Sequence, residues 1–227
     1  RSTPSNSSAA SDVYKRQGRR EAALAAFERA VALQPDPVVH IHLGLTLIQL
    51  GQRARGEAEI EKAFGLGQAP VEVHLELADA CAQLGLGDRE LAALDAAVAA
   101  DPRHRLARYR LALALLARGR DLPRVEAVAE ALYAADTADP LYAGLLGAVC
   151  HLEGRALRAR ALLAKAVADD PLLGPEPVAP YRCFLGLALM AAGERDRAVA
   201  ELRRCLDAAP AGPFAPRAKA ALRQIGP

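Results

Sequence analysis

The sequence predicts an all-α protein, an α-solenoid of stacked antiparallel helix pairs. Three observations predict it. Glycine recurs at 18, 51, 85, 119, 154 and 193, with spacings of 33, 34, 34, 35 and 39 residues, each close behind one apolar-periodic segment and ahead of another. Segments such as Val39 to Leu50 and Arg105 to Ala117 set apolar residues at helical spacing among strong helix formers, each long enough for about three turns. The composition is 52% apolar but only 4% aromatic, so the core must be built from Ala, Leu and Val. A unit of two short helices cannot bury its faces alone, and neighbouring units must therefore stack.

Residues 1–12 are rich in Ser, Asn and Thr and almost free of large apolar side chains, too polar to offset the entropy of ordering. The string from Ser8 to Gln17 resembles a translated sequencing linker of the kind found at the start of assembled gene fragments, and the chain has no initiator Met. Residues 1–17 are therefore expected to be a disordered, non-native segment. That expectation leaves room for a signal peptide or a whole domain ahead of Gly18, and the compartment is not legible. Residues 18–210 then form the repeat array, half a unit followed by five units. Residues 211–227 form a cap, in which Pro213 to Ile225 reads as one more amphipathic helix. Ahead of the last unit, Pro171, Pro175, Pro177 and Pro180 predict a stiff loop around Leu172 to Pro180, which accounts for the 39-residue spacing.

Within each period the residues follow a further pattern. A unit beginning at Pro140 has Gly147, Gly154, Ala159, Leu163, Ala166 and Pro171, and one beginning at Ala179 has Gly186, Gly193, Ala198, Leu202, Cys205 and Pro210. The half unit keeps Gly18, Ala23, Phe27, Ala30 and Pro35. This pattern resembles the tetratricopeptide repeat, which sets a small residue at position 8, Gly at 15, Ala at 20 and 27, an apolar residue at 24 and Pro at 32. Departures occur at Gly56, Glu90 and Arg124, where Ala is usual, and at Gln68 and Asp136, where Pro is usual.

The resemblance implies a right-handed superhelix whose first helices line an inner groove. Carried over position by position, it assigns partner binding to Ile41, His42 and Leu45, then to Glu72, Glu76 and Asp79, and then to Tyr109, Arg110 and Leu113. Leu145, His151, Phe184 and Leu187 complete the set. This surface is mainly apolar, which suits an amphipathic helix or an apolar extended segment. Some family members grip a peptide carboxylate through Lys and Asn at positions 5 and 9; Ile41 with Leu45 and Tyr109 with Leu113 stand there instead, which disfavours an acidic C-terminal peptide. Self-association is the alternative way to cover the surface.

Residues suited to chemistry are scarce. Twenty-nine Lys and Arg against twenty-seven Asp and Glu leave a formal charge of +2, which disfavours nucleic acid as a partner. No apolar run approaches the roughly 20 residues that span a bilayer. His40 and His42 lie two apart on a helix, so they point to different faces and do not readily share a metal. His74, His104 and His151 are isolated, and no HExxH, GxSxG or phosphate-loop motif occurs. The four cysteines include no CxxC pair. Cys183 and Cys205 would lie at comparable heights on the two helices of one unit, yet free buried thiols are the expectation. No catalytic residue, cofactor or metal is expected. The expected function is a non-catalytic scaffold that binds a protein or peptide segment. The alternative, the repeat region of a larger enzyme such as a sulfotransferase or glycosyltransferase, rests on fold analogy alone. Removing residues 1–17 is expected to leave the thermal unfolding midpoint nearly unchanged; a loss of several degrees would show that this segment packs as a native helix.

Overall fold

The structure, a computed structural model, describes residues 6–66, 69–168 and 174–226, and for residues 6–17 the backbone alone. Twelve helices and no strand occur among the described residues. They are α1 Asn6–Leu33, α2 Pro37–Gln49, α3 Arg53–Gly65, α4 Val71–Gln83, α5 Gly87–Ala100 and α6 Arg105–Arg118. There follow α7 Leu122–Ala135, α8 Pro140–Leu152, α9 Ala156–Ala168, α10 Pro175–Ala191, α11 Arg195–Ala208 and α12 Ala215–Ile225. The chain divides into two compact units, Arg1–Ala107 and Arg108–Pro227. In the first, α2 pairs with α3 and α4 with α5, while α1 packs on α2. In the second, α8 pairs with α9 and α10 with α11; α10 also packs on α8 and α9, and α12 closes over α10 and α11.

Local chemistry sets where the helices begin and end. Asp36 caps α2, its carboxylate accepting from the Val38 N–H at 2.8 Å and the Val39 N–H at 3.3 Å, with Pro37 at the first helical position. Asp139 and Pro140 repeat the device on α8, with 2.8 Å to the Leu141 N–H and 3.3 Å to the Tyr142 N–H. Both use an acceptor for the orphan donors of the first turn and a residue that needs no donor. Gly51, Gly85, Gly119, Gly154 and Gly193 all have φ between +62° and +80°. At the first of these turns the Gln52 N–H reaches back to the Leu47 carbonyl at 2.9 Å. A Cβ would strain that left-handed backbone, so the glycine period of the sequence is the period of the turns.

Gly18 is different. The sequence reading placed disorder up to residue 17 and a turn at Gly18, but α1 begins at Asn6 and runs through Gly18 without a break. A single glycine inside a helix costs only about 1 kcal/mol relative to Ala, and the Lys, Arg, Gln, Glu and Ala around it are strong helix formers. A second correction concerns the expected proline loop. Residues 169–173 lie outside the described residues, but Pro175, Pro177 and Pro180 all belong to α10. Pro175 and Pro177 fall in the first turn, where N–H groups have no intrahelical acceptor to lose, and only Pro180 removes an interior hydrogen bond.

The paired helices approach closely where the residues are small. A Cβ placed on Gly56 would lie 2.5 Å from the Gly44 carbonyl oxygen and 2.4 Å from Ile48. Gly56 thus departs from the usual Ala because α2 and α3 leave no room for a methyl group. Two substitutions check this account. Gly56→Ala, although it restores the commoner residue, should destabilise the protein by about 1–3 kcal/mol in urea titration. Gly18→Ala, at a helical glycine with nothing within 4 Å, should stabilise it by about 0.5–1 kcal/mol.

Candidate interaction surface

In the first unit, packing divides the expected binding residues. Ile41 has no exposed surface; it lies beneath the surface and does not form it. His42, Leu45 and Glu76 are half-buried, and Glu72 and Asp79 are exposed. His42 Nε2 lies 3.0 Å from Glu76 Oε1, and its ring stacks on Phe27 with centroids 5.7 Å apart, so it joins α1, α2 and α4. His40 faces the other way. It is buried, with Nδ1 2.7 Å from Glu59 Oε2, and Glu59 also receives Lys62 at 2.7 Å. Burial alone would raise the Glu59 pKa, but the hydrogen bonds and positive charge of Lys62 and His40 outweigh it and hold the carboxyl below its ordinary value.

Two more histidines have structural places. His104 precedes α6, and its Nδ1 accepts from the Ala107 N–H at 3.2 Å, which makes it a helix cap. His74 lines a cleft of about 870 Å³ with Glu72, Pro70, Val71, Ala100 and Asp101. Its Nδ1 is buried with no hydrogen-bond partner among the described residues, and burial lowers its pKa.

The second unit contains a contact that the sequence reading missed. Tyr109 is only 7% exposed, and its hydroxyl lies 2.6 Å from that of the fully buried Tyr181. This bond links α6 to α10. The Tyr181 ring occupies the space above Gly144, where a Cβ would come within 2.4 Å of the ring carbons, and Tyr142 leans on Tyr109 with centroids 6.1 Å apart. Burial pushes Tyr109 up to about 12 and Tyr181 well above its ordinary value, so both phenols stay protonated at neutral pH. Gly144 leaves the gap that this ring from a later helix fills.

Leu145 and Phe184 are likewise buried completely. Phe184 meets Phe214 edge-on at 5.7 Å and His151 at 6.0 Å, and the Arg217 guanidinium lies 5.1 Å from its centroid. Phe214 and α12 therefore cover the face on which a partner was expected. Burial first, and then the charge of Arg217, lowers the pKa of half-buried His151. Arg110, Leu113 and Leu187 remain half-exposed. Beside Leu113, an apolar pocket of about 280 Å³ opens among Tyr109, Leu141, Pro177 and Phe214, with Glu176 in its lining.

The four cysteines are free and buried. Burial pushes Cys81 up to about 11, and the Cys183 thiol points to the Phe214 carbonyl at 3.9 Å. Among the described residues no group of three or more His, Cys, Asp or Glu side chains could hold a metal, and no helix is long and apolar enough to cross a membrane.

Two tetratricopeptide repeat profiles match the sequence, one over residues 41–102 and the other over residues 9–37 and 179–211. Together they cover more than half of the chain. The chain belongs to the tetratricopeptide repeat (TPR) family. No curated protein matches the sequence, but solved TPR structures do. YrrB, described as a TPR protein with an unusual peptide-binding site, is 17% identical over 86% of this chain and 98% of its own, with a TM-score of 0.52. A thermophilic TPR protein of Thermus thermophilus is 23% identical over 83% of this chain and 100% of its own, with a TM-score of 0.53. A tetratricopeptide repeat protein from Parabacteroides merdae is 12% identical over 95% of this chain and 96% of its own, with a TM-score of 0.58. At these identities the likeness is one of fold. The TPR turns and small-residue contacts described above are this fold's local signature.

Tyr109→Phe should leave the Tyr181 hydroxyl buried without its partner and destabilise the protein by about 1–3 kcal/mol in urea titration, with helicity retained. A second check uses pH. His74 and His151 have folded pKa values below the ordinary 6.5, so the unfolded chain binds more protons as pH falls through that value, and the stability present above it is lost on acidification. The thermal midpoint should fall between pH 7.5 and pH 5.5, and less steeply in a His74→Gln, His151→Gln double variant.

Proposed function

We propose that this TPR chain is a non-catalytic scaffold that holds a peptide or helical segment of another protein against the accessible residues of its first helices. One observation carries the reading: after intramolecular packing has consumed Ile41, Tyr109, Leu145 and Phe184, the surface left on those helices still pairs aliphatic side chains with charge. In the first unit Leu45 remains half-exposed on α2, and Glu72, Glu76 and Asp79 remain accessible on α4. In the second, Arg110 and Leu113 on α6 and Leu187 on α10 remain half-exposed. Aliphatic positions supply the favourable area, and the charged neighbours supply orientation and encounter rate. YrrB's peptide binding supports the class of function through fold alone.

A display library of random peptides selected on the intact chain tests the proposal. Enriched peptides should bind with affinities that fall at least tenfold, or about 1.4 kcal/mol, on Leu45→Asp or Leu113→Asp, while circular dichroism stays unchanged. Glu72→Lys should slow association of basic peptides with a smaller effect on dissociation. Failure to enrich any peptide, or indifference to both leucine substitutions, would overturn the scaffold reading.

A further inference from the structure

The pocket beside Tyr109 in the second unit combines apolar, well-held walls with a charged rim. Its volume of about 280 Å³ lies just below the roughly 300–1,000 Å³ of clefts that enclose drug-sized ligands, which suits one bulky side chain better than a cofactor. Its walls are apolar and stiff. The Tyr109 ring is held by the bond to Tyr181, Pro177 and Pro180 belong to the rigid first turns of α10, and Phe214 is fixed against Phe184. A pocket bounded by ordered side chains need not be ordered by its ligand, which lowers the cost of binding.

Its charge is equally specific. Among the described residues, Glu176 is the one charged side chain lining the pocket. It is exposed, and it has no ion-pair or hydrogen-bond partner among the described residues. It stands in the first turn of α10, at the rim of the pocket. A negative carboxylate at an apolar pocket selects a positive group next to an apolar one.

Resting on the scaffold reading above, we propose that this pocket is the anchor site for a partner peptide in which a bulky apolar residue, Leu, Ile, Phe or Met, is adjacent to Lys or Arg. The apolar side chain fills the space between Leu113, Leu141 and Phe214, and its basic neighbour pairs with Glu176.

The test uses the intact chain and the peptides enriched on it. Synthetic ten-residue peptides carrying the enriched core should show the apolar–basic pair, and their binding by fluorescence anisotropy should weaken at least tenfold on Glu176→Lys. A peptide whose basic residue is changed to Glu should recover binding to that variant. Ala179→Leu, which adds bulk inside the pocket, should also abolish binding; because it risks the fold, amide shift changes at Leu113, Leu141 and Glu176 on titrating the wild-type chain provide an independent reading. Peptides that bind with unchanged affinity to Glu176→Lys, with shift changes away from the pocket, would overturn this assignment. The scaffold reading would still stand if those peptides were lost on Leu45→Asp. A concentration-dependent dimer of the chain alone that Glu176→Lys dissociates would overturn the assignment in favour of a second copy as occupant.

Discussion

How near two paired helices can come decides most of what else the chain can do. With Gly44 facing Gly56, and with Gly147 and Gly186 set against Leu163 and Leu202, backbones meet at distances that a methyl group would prevent. That proximity buries short aliphatic side chains effectively despite the scarcity of aromatic residues, because dispersion falls steeply with any gap. It also explains why turns between paired helices are short and left-handed, and why glycine rather than asparagine or aspartate holds most of them. Asp121, at φ +48°, is the one described non-glycine residue in that region, and it sits where its carboxylate also accepts from the Arg124 N–H.

Close pairing has a second effect, on which side chains remain for binding. A first helix packed against its partner and its neighbours retains only a narrow accessible strip. In the second unit even this strip is reduced by α12, whose Arg217 and preceding Phe214 clamp Phe184. The surface available to a partner is thus set by what the fold has already used. The apolar pocket survives because no described side chain of the second unit reaches into it.

The architecture was legible because its signals are local and repeated. Turn glycines, small contact residues and helical periodicity each recur at one spacing, and local rules suffice to read them. The failures were of another kind. Gly18 matched the period but lacked a turn, because the residues around it favour helix more strongly than one glycine opposes it. Pro175 and Pro177 were read as breakers, although a helix start tolerates both. The burial of Tyr109 and Phe184 depended on groups far along the chain, Tyr181, Phe214 and Arg217, and no rule applied position by position within one repeat can supply that.

The bond between Tyr109 and Tyr181 also bears on how the second unit opens. An array joined only through adjacent repeats frays from its ends, one pair at a time. Here α6 and α10 are latched across the intervening α7, α8 and α9, so releasing α10 strips α6 of a buried partner and uncovers the flat face at Gly144. Backbone amides of α8 and α9 should consequently exchange with solvent by opening of the block as a whole, with more uniform protection than the gradient toward its terminus expected of a simple ladder of repeats.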